Sequence, residues 1–233
     1  MNLPKISVIT VVWNDAKGLE RTIKSVISQT YENLEFIVID GGSTDGTLEV
    51  IKKYANKIDY WVSEKDNGIY DAMNKGIKVA TGTWVNFMNA GDIFVSNNVL
   101  NSIDWDKYNN KVLIYGKKIQ NGKVIEPLPL KMLEVGIIHA NHQSMFFNKY
   151  LLQNELYYNI KYKIYGDYEL VNRIYIKYRD KIKYINKIIA DFEGGGISST
   201  PSFQKRKDKY MIIYESYGLK YLMKSIIYRL IKK

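Results

Sequence analysis

The sequence predicts an α/β protein with a mostly parallel central sheet and helices on its faces. Two patterns carry the prediction. Apolar, β-branched runs alternate along the first half of the chain with segments whose apolar residues recur every three or four positions, and each run ends in a polar turn. The chain has 233 residues, 46% of them hydrophobic, which is enough for a sizeable core.

Lys5–Val12 (KISVITVV) reads as a first buried strand. Gly18–Gln29, with Leu19, Ile23, Val26 and Ile27 in helical register, is the helix after it. Leu34–Asp40 (LEFIVID) is a second strand, followed by a loop in which Thr44 or Asp45 is placed to cap a helix over Thr47–Tyr54. Ile58–Ser63 is a short third strand, and Gly82–Met88 a fourth. Between them Ile69–Ala80 is a helix with Ile69, Met73, Ile77 and Ala80 on one side.

The second half is less regular. Lys111–Gln120 and Lys123–Glu126 form a hairpin around Asn121-Gly122, a strong turn dipeptide. Ser144–Phe147 and Lys183–Ile188 read as strands, and Gly166–Tyr178 as a helix. Glu193–Pro201 (EGGGISSTP) is a loop, after which the chain from Phe203 is helical with a break at Gly218.

Composition narrows the function. There is no cysteine, which excludes disulfides, a thiol nucleophile and Cys-ligated zinc. His139 and His142 alone make a weak zinc case. No apolar run reaches the ~18 residues of a membrane span, and the N-terminus has no export-type segment. The net charge of +10 leaves nucleic acid, an anionic membrane or phosphorylated substrates as partners. Basic residues are least diluted beyond Glu215, where Lys220, Lys224, Arg229, Lys232 and Lys233 lie among apolar ones. Leu219, Leu222, Met223, Ile226 and Leu230 recur there at helical spacing, with Tyr217, Tyr221 and Tyr228 near. A basic amphipathic helix of this kind suits a membrane interface, with a helix packed on the domain or a dimer contact as the alternatives. The expectation is a cytoplasmic protein, peripheral on the inner face of the membrane. Nucleic acid is disfavoured because no basic segment is interleaved with aromatics.

Ligands of parallel α/β sheets bind at the carboxyl ends of the strands. Those ends are Trp13-Asn14-Asp15, Asp40-Gly41-Gly42, Ser63-Glu64-Lys65-Asp66 and Asn89-Ala90-Gly91-Asp92, all polar or acidic. The spacing of Gly41, Gly42 and Gly46 is not that of a dinucleotide fingerprint, and there is no phosphate-binding loop of the G-x-x-x-x-G-K type.

The ordered set DGGSTDGT (Asp40–Thr47), EKDNGIYDAMNKG (Glu64–Gly76), TGTWVNFMNAGD (Thr81–Asp92), His142-Gln143, Gly166-Asp167-Tyr168-Glu169 and Gly194–Ser199 resembles family 2 glycosyltransferases over roughly residues 5 to 200. The resemblance implies the GT-A fold, with residues 1–95 as the nucleotide-sugar-binding half, 96–202 as the acceptor-binding half and 203–233 as a basic helical tail. It implies inverting transfer from a nucleotide-sugar, a UDP-sugar in the first instance, to a glycan or lipid-linked glycan in bacterial surface polysaccharide assembly. A degenerate nucleotide-sugar-binding subunit is the alternative. A sugar nucleotidyltransferase is less favoured, because no glycine- and arginine-rich loop follows the first strand. A homo-oligomer is left open.

The residue roles follow from the same resemblance. Thr10, Val12, Asn14, Asp40, Gly42, Ser43, Asp66, Asp71, Asn74, Asn89 and Ala90 would line the donor. The family often carries a second acid after Asp40, where this chain has Gly41. Asp92 is the remaining carboxylate of an acidic metal motif whose other acids are replaced by Asn89 and Gly91, so it would hold Mn²⁺ or Mg²⁺ with Asn89 as a neutral helper. Asp167 would be the base that deprotonates the acceptor hydroxyl. His142, Gln143 and Glu169 would contact acceptor or diphosphate, and the glycine loop Glu193–Ser199 would act as a lid over the donor.

Overall fold

The computed structural model describes residues 3–194 and 203–231. Strands β1 (Ile6–Val12), β2 (Leu34–Asp40), β3 (Tyr60–Ser63) and β4 (Trp84–Phe87) alternate with helices α1 (Ala16–Ile27), α2 (Thr47–Lys53) and α3 (Ile69–Val79). All of β1 is buried, as a strand covered on both faces must be. Its side chains alternate between two cores. Ile6 and Val8 join Leu19, Ile23 and Val26 of α1, whereas Ile9 and Val11 join Met73 and Ile77 of α3. The predicted side of α3 holds except for Ile69, which is exposed. The N-cap position of α2 is Gly46, and Asp45, one of the two expected caps, acts from the residue before it, its Oδ1 accepting from Thr47 N and Oγ1.

The chain then returns through β5 (Ile93–Phe94), β6 (Leu113–Gln120), β7 (Lys123–Ile125), β8 (Met145–Asn148), the short α4 (Lys149–Leu152), α5 (Gly166–Tyr178) and β9 (Ile182–Asp191). The strands form one sheet in the order β3-β2-β1-β4-β8-β6-β9-β5, with β7 paired to β6. The turn between β6 and β7 is Asn121-Gly122 with φ of 51° and 70°, the left-handed pair that a two-residue hairpin needs. The two-residue β5 has no sequence signature, because so short a strand has no periodicity.

Direction in the sheet sets the position of the site. β1 is parallel to β2 and β4, and β2 to β3. β8 runs antiparallel to both β4 and β6, while β9 is parallel to β6. The carboxyl ends of β1–β4, β6 and β9 therefore share one rim, and the turn that enters β8 lies on it as well.

Helices α6 (Phe203–Tyr217) and α7 (Leu219–Ile231) meet at Gly218, whose φ is 79°. α6 buries Ile212 and Ile213 in the core, and α7 docks through Ser225, whose hydroxyl donates to Val135 O at 2.8 Å. Leu222, expected on the outward apolar face, is half-buried against the core.

Candidate functional site

At the β2–β3 end of the rim, Asp40 is fully buried at the tip of β2. Its carboxylate accepts from Ser43 N and Oγ and from Ser63 Oγ (2.6 Å), so it ties the ends of β2 and β3 together. Asn14 joins the loop after β1 to this one, its N–H donating to Ser43 Oγ at 2.7 Å while its Oδ1 accepts from Thr44 N at 2.8 Å. Thr10 is buried in β1 and donates to Met88 O, and Val12 O accepts from Gly41 N. A Cβ on Gly41 would lie 2.6 Å from Asp66 Oδ2 and 3.5 Å from the Trp13 ring. The Asp66 carboxylate thus stands where the family's second acid would begin. Trp13 is 68% exposed beside it, a large aromatic face that nothing in its sequence neighbourhood distinguishes from a polar strand end. Gly42 lies against the backbone of Lys65.

The predicted helix α3 is less open than expected. Asn74 Nδ2 donates to Tyr158 O and its Oδ1 accepts from Tyr158 N, at 2.9 and 2.8 Å. That clamp holds the two halves together. Asp71 accepts from Asn67 N at the helix start.

At the centre of the rim, a chain of polar side chains runs between the halves. Asn89 Nδ2 lies 3.0 Å from His142 Nε2, and His142 Nδ1 lies 3.8 Å from Asp167 Oδ2. The His142 ring thus stands between the Asn89 amide and the Asp167 carboxylate. Asp167 sits in the first turn of α5, and its other oxygen accepts from Tyr168 N at 2.7 Å with the Tyr70 hydroxyl 3.3 Å away. Its side chain is 25% exposed, open to the rim. Glu169 points elsewhere and pairs with Arg173 at 3.0 Å.

Asp92 is 5% exposed, beyond Ala90 and Gly91. Burial pushes its carboxyl up, opposed by Gln143 Nε2, which donates to Oδ2 at 2.6 Å. Glu193 N donates to Oδ1. β5 makes this possible, because Ile93 pairs with Asp191 and draws the two segments together. Gly91 has φ of 97°, and a Cβ there would lie 2.5 Å from Glu193 Oε2. Where the family carries an acid at this position, a carboxylate from the end of β9 fills the space, paired with Arg21. Arg21 Nε also donates to Gly91 O at 3.1 Å. Arg21 is not distinguishable in sequence from other charged residues, and Glu193 stands out only as the first residue of the glycine loop. Residues 195–199 of the expected lid lie outside the described residues.

The residues present fit a hard cation with few protein ligands. Asn89 Oδ1 is buried without a partner, and a carboxylate that accepts two hydrogen bonds keeps further lone pairs. Among the described residues there is no cluster of three acidic or histidine side chains, so most ligands of such an ion would be phosphate or water.

A 3-2-1-4 parallel half, a polar rim and a carboxylate facing it from the second half are the arrangement of a GT-A-type group-transfer enzyme. The profile of Glycosyl transferase family 2 matches residues 7–185, and the chain belongs to that family of glycosyltransferases. A PGL/p-HBAD biosynthesis glycosyltransferase of Mycobacterium tuberculosis is 28% identical over 208 residues, covering 86% of this chain and 81% of the relative. A second, uncharacterized M. tuberculosis glycosyltransferase is 31% identical over 205 residues, covering 84% and 78%. In fold, the chain resembles S. aureus TarS 1-349 in complex with UDP-GlcNAc, with a TM-score of 0.70 at 19% identity over 91% of this chain and 67% of that one. It spans 38% of the longer TarS structure. The mannosyltransferase PcManGT from Pyrobaculum calidifontis, in complex with GDP-Man and Mn²⁺, gives a TM-score of 0.66 at 15% identity over 100% of this chain and 76% of that one.

Proposed function

We propose that the protein transfers a sugar from a UDP-sugar, with inversion at the anomeric carbon, to a glycan or lipid-linked glycan acceptor in surface polysaccharide assembly. The observation that carries this reading is the Asn89–His142–Asp167 chain, which links the end of β4 to an accessible carboxylate on the opposite half. Trp13 offers a ring for the base to stack on, and Asp40 and Asp66 offer acceptors for base N–H or ribose hydroxyls. The diphosphate lies toward Asn89 and Asp92. Asn89 and Asp92 would hold a Mn²⁺ or Mg²⁺ ion, which supplies positive charge against the leaving diphosphate when bound.

The acceptor oxygen attacks the anomeric carbon on the face opposite the diphosphate. The new C–O bond forms as the bond to the diphosphate oxygen breaks, and the hydroxyl proton passes to Asp167 Oδ2. The His142 ring flanks that carboxylate, with Nδ1 3.8 Å from Oδ2.

The tail supports a peripheral membrane position. Leu219, Met223, Ile226, Ile227 and Leu230 are exposed on α7, with Lys220 and Lys224 beside them. Such a surface lays apolar groups into the interface and cations against anionic headgroups.

The mechanism is tested by Asp167→Asn. Transfer falls by about 10²–10⁴-fold, the range for loss of a general base, while donor binding by thermal shift with Mn²⁺ is unchanged. Near-wild-type turnover in the variant overturns the assignment.

A further inference from the structure

Asp167 is held in part from the other half of the molecule. Tyr70 lies in α3 of the first half and is buried. Its hydroxyl donates to Ile164 O at 2.7 Å and stands 3.3 Å from Asp167 Oδ1. Burial pushes the phenol well above its ordinary value, so it stays protonated and able to donate.

The ring is fixed as closely as the hydroxyl. Gly166 opens α5, and a Cβ there would lie 2.7 Å from Tyr70 Cδ2 and Cε2. Glycine at that position lets the ring lie against the helix backbone, one residue before Asp167. The ring also stacks on Tyr158, with centroids 5.1 Å apart and planes 20° from parallel. Asn74, one turn further along α3, holds both backbone polar groups of Tyr158. Two successive turns of α3 therefore grip the segment that leads into α5, and the grip ends on Asp167.

The two oxygens of that carboxylate are unlike as a result. Its hydrogen bonds converge on Oδ1, which accepts from Tyr168 N at 2.7 Å and has the Tyr70 hydroxyl beside it. Oδ2, 3.8 Å from His142 Nδ1, is left to take a proton. A phenylalanine would fill the same space under Gly166 and on Tyr158. Only the hydroxyl reaches the carboxylate.

We propose that Tyr70 is a positioning residue for the base: its hydroxyl holds Ile164 O and Asp167 Oδ1 so that Oδ2 meets the acceptor hydroxyl. The proposal rests on the assignment of Asp167 as the base.

The test compares Tyr70→Phe, Asp167→Asn and the double variant with wild type, on the full chain with Mn²⁺. Tyr70→Phe keeps the ring and removes the hydroxyl alone. Turnover is read as UDP released from UDP-glucose, UDP-galactose and UDP-N-acetylglucosamine, with water standing in for the acceptor hydroxyl. Crystal structures of wild type and Tyr70→Phe with UDP locate the carboxylate. In Tyr70→Phe, kcat falls by about 10–100-fold, the scale of a misplaced group, with donor KM unchanged. The double variant is no slower than Asp167→Asn, because a hydroxyl that acts through the carboxylate has no base left to position. A residue that only supported the fold would multiply the two losses instead. In the crystal, the Asp167 carboxylate of Tyr70→Phe leaves its wild-type position. Multiplied losses, wild-type kcat in Tyr70→Phe, or an unmoved carboxylate overturns the positioning role alone. Wild-type turnover in Asp167→Asn overturns the base assignment, and the role of Tyr70 with it. If the wild type releases UDP from none of the three donors, the UDP-sugar reading falls, and the crystal structures decide whether Tyr70 places the carboxylate.

Discussion

Replacing Glu35 by Gln tests how the start of the sheet is held. Glu35 lies in β2 with its side chain 8% exposed. Its carboxylate accepts from Ser7 Oγ (2.5 Å), Thr81 N (2.8 Å) and Thr81 Oγ1 (2.5 Å), and Lys5 Nζ lies 3.1 Å away. Ser7 Oγ in turn accepts from Gly82 N, so one carboxylate ties β1 and β2 to the turn that enters β4. Burial alone would push its pKa up, but the hydrogen bonds from Ser7, Thr81 and Lys5 together outweigh it and hold the group down to about 2 from 4.5. At 1.36 kcal/mol per unit, that depression is worth roughly 3 kcal/mol at neutral pH. The folded value is the lower one, so the stabilisation is complete above 4.5 and is lost as the pH falls toward 2. At pH 3 roughly 1.5 kcal/mol remains. Glu35→Gln cannot titrate there. Urea unfolding at pH 7 and pH 3 should show a deficit of about 3 kcal/mol for the variant at pH 7, shrinking by about half at pH 3. An equal deficit at both pH values would refute the argument, because the interaction would then not depend on charge.

Trp13→Ala removes the exposed ring beside Asp66 and, on the proposed donor placement, should weaken UDP by about 1–3 kcal/mol, measured by calorimetry, with no loss of stability because the side chain is already in solvent. Unchanged UDP affinity would remove Trp13 from the donor site. On α7, Lys220→Gln with Lys224→Gln should weaken sedimentation with phosphatidylserine vesicles by about 2 kcal/mol, roughly thirtyfold, and leave binding to neutral vesicles unaltered. Equal sedimentation of variant and wild type would count against an electrostatic membrane contact.

The elements with strong periodicity were legible in the sequence. Leu34–Asp40 and Gly166–Tyr178 appear with the bounds that the pattern predicts, and the turn at Asn121-Gly122 and the break at Gly218 fall where their chemistry requires. These features depend on local torsions and on which face a side chain takes, and neighbouring residues alone determine both.

The polar strand ends were legible too, because a parallel sheet gathers its carboxyl ends on one rim whatever the loops do. What each side chain does there was not. Asn74 was placed on the right helix, but only tertiary packing sets it opposite the backbone of Tyr158. Arg21 and Glu193 are 172 positions apart, and their pairing beside Gly91 follows from β5 joining β9. His139 is buried with both ring nitrogens unpaired, its ring packed edge to face on Tyr115 of β6, a residue 24 positions earlier in the chain. Sequence alone determined the alternation of strands and helices in the first half, the rim and the family. Tertiary structure decided which polar atoms are satisfied and which are buried without a partner, because hydrogen-bond satisfaction depends on atoms far apart in the chain.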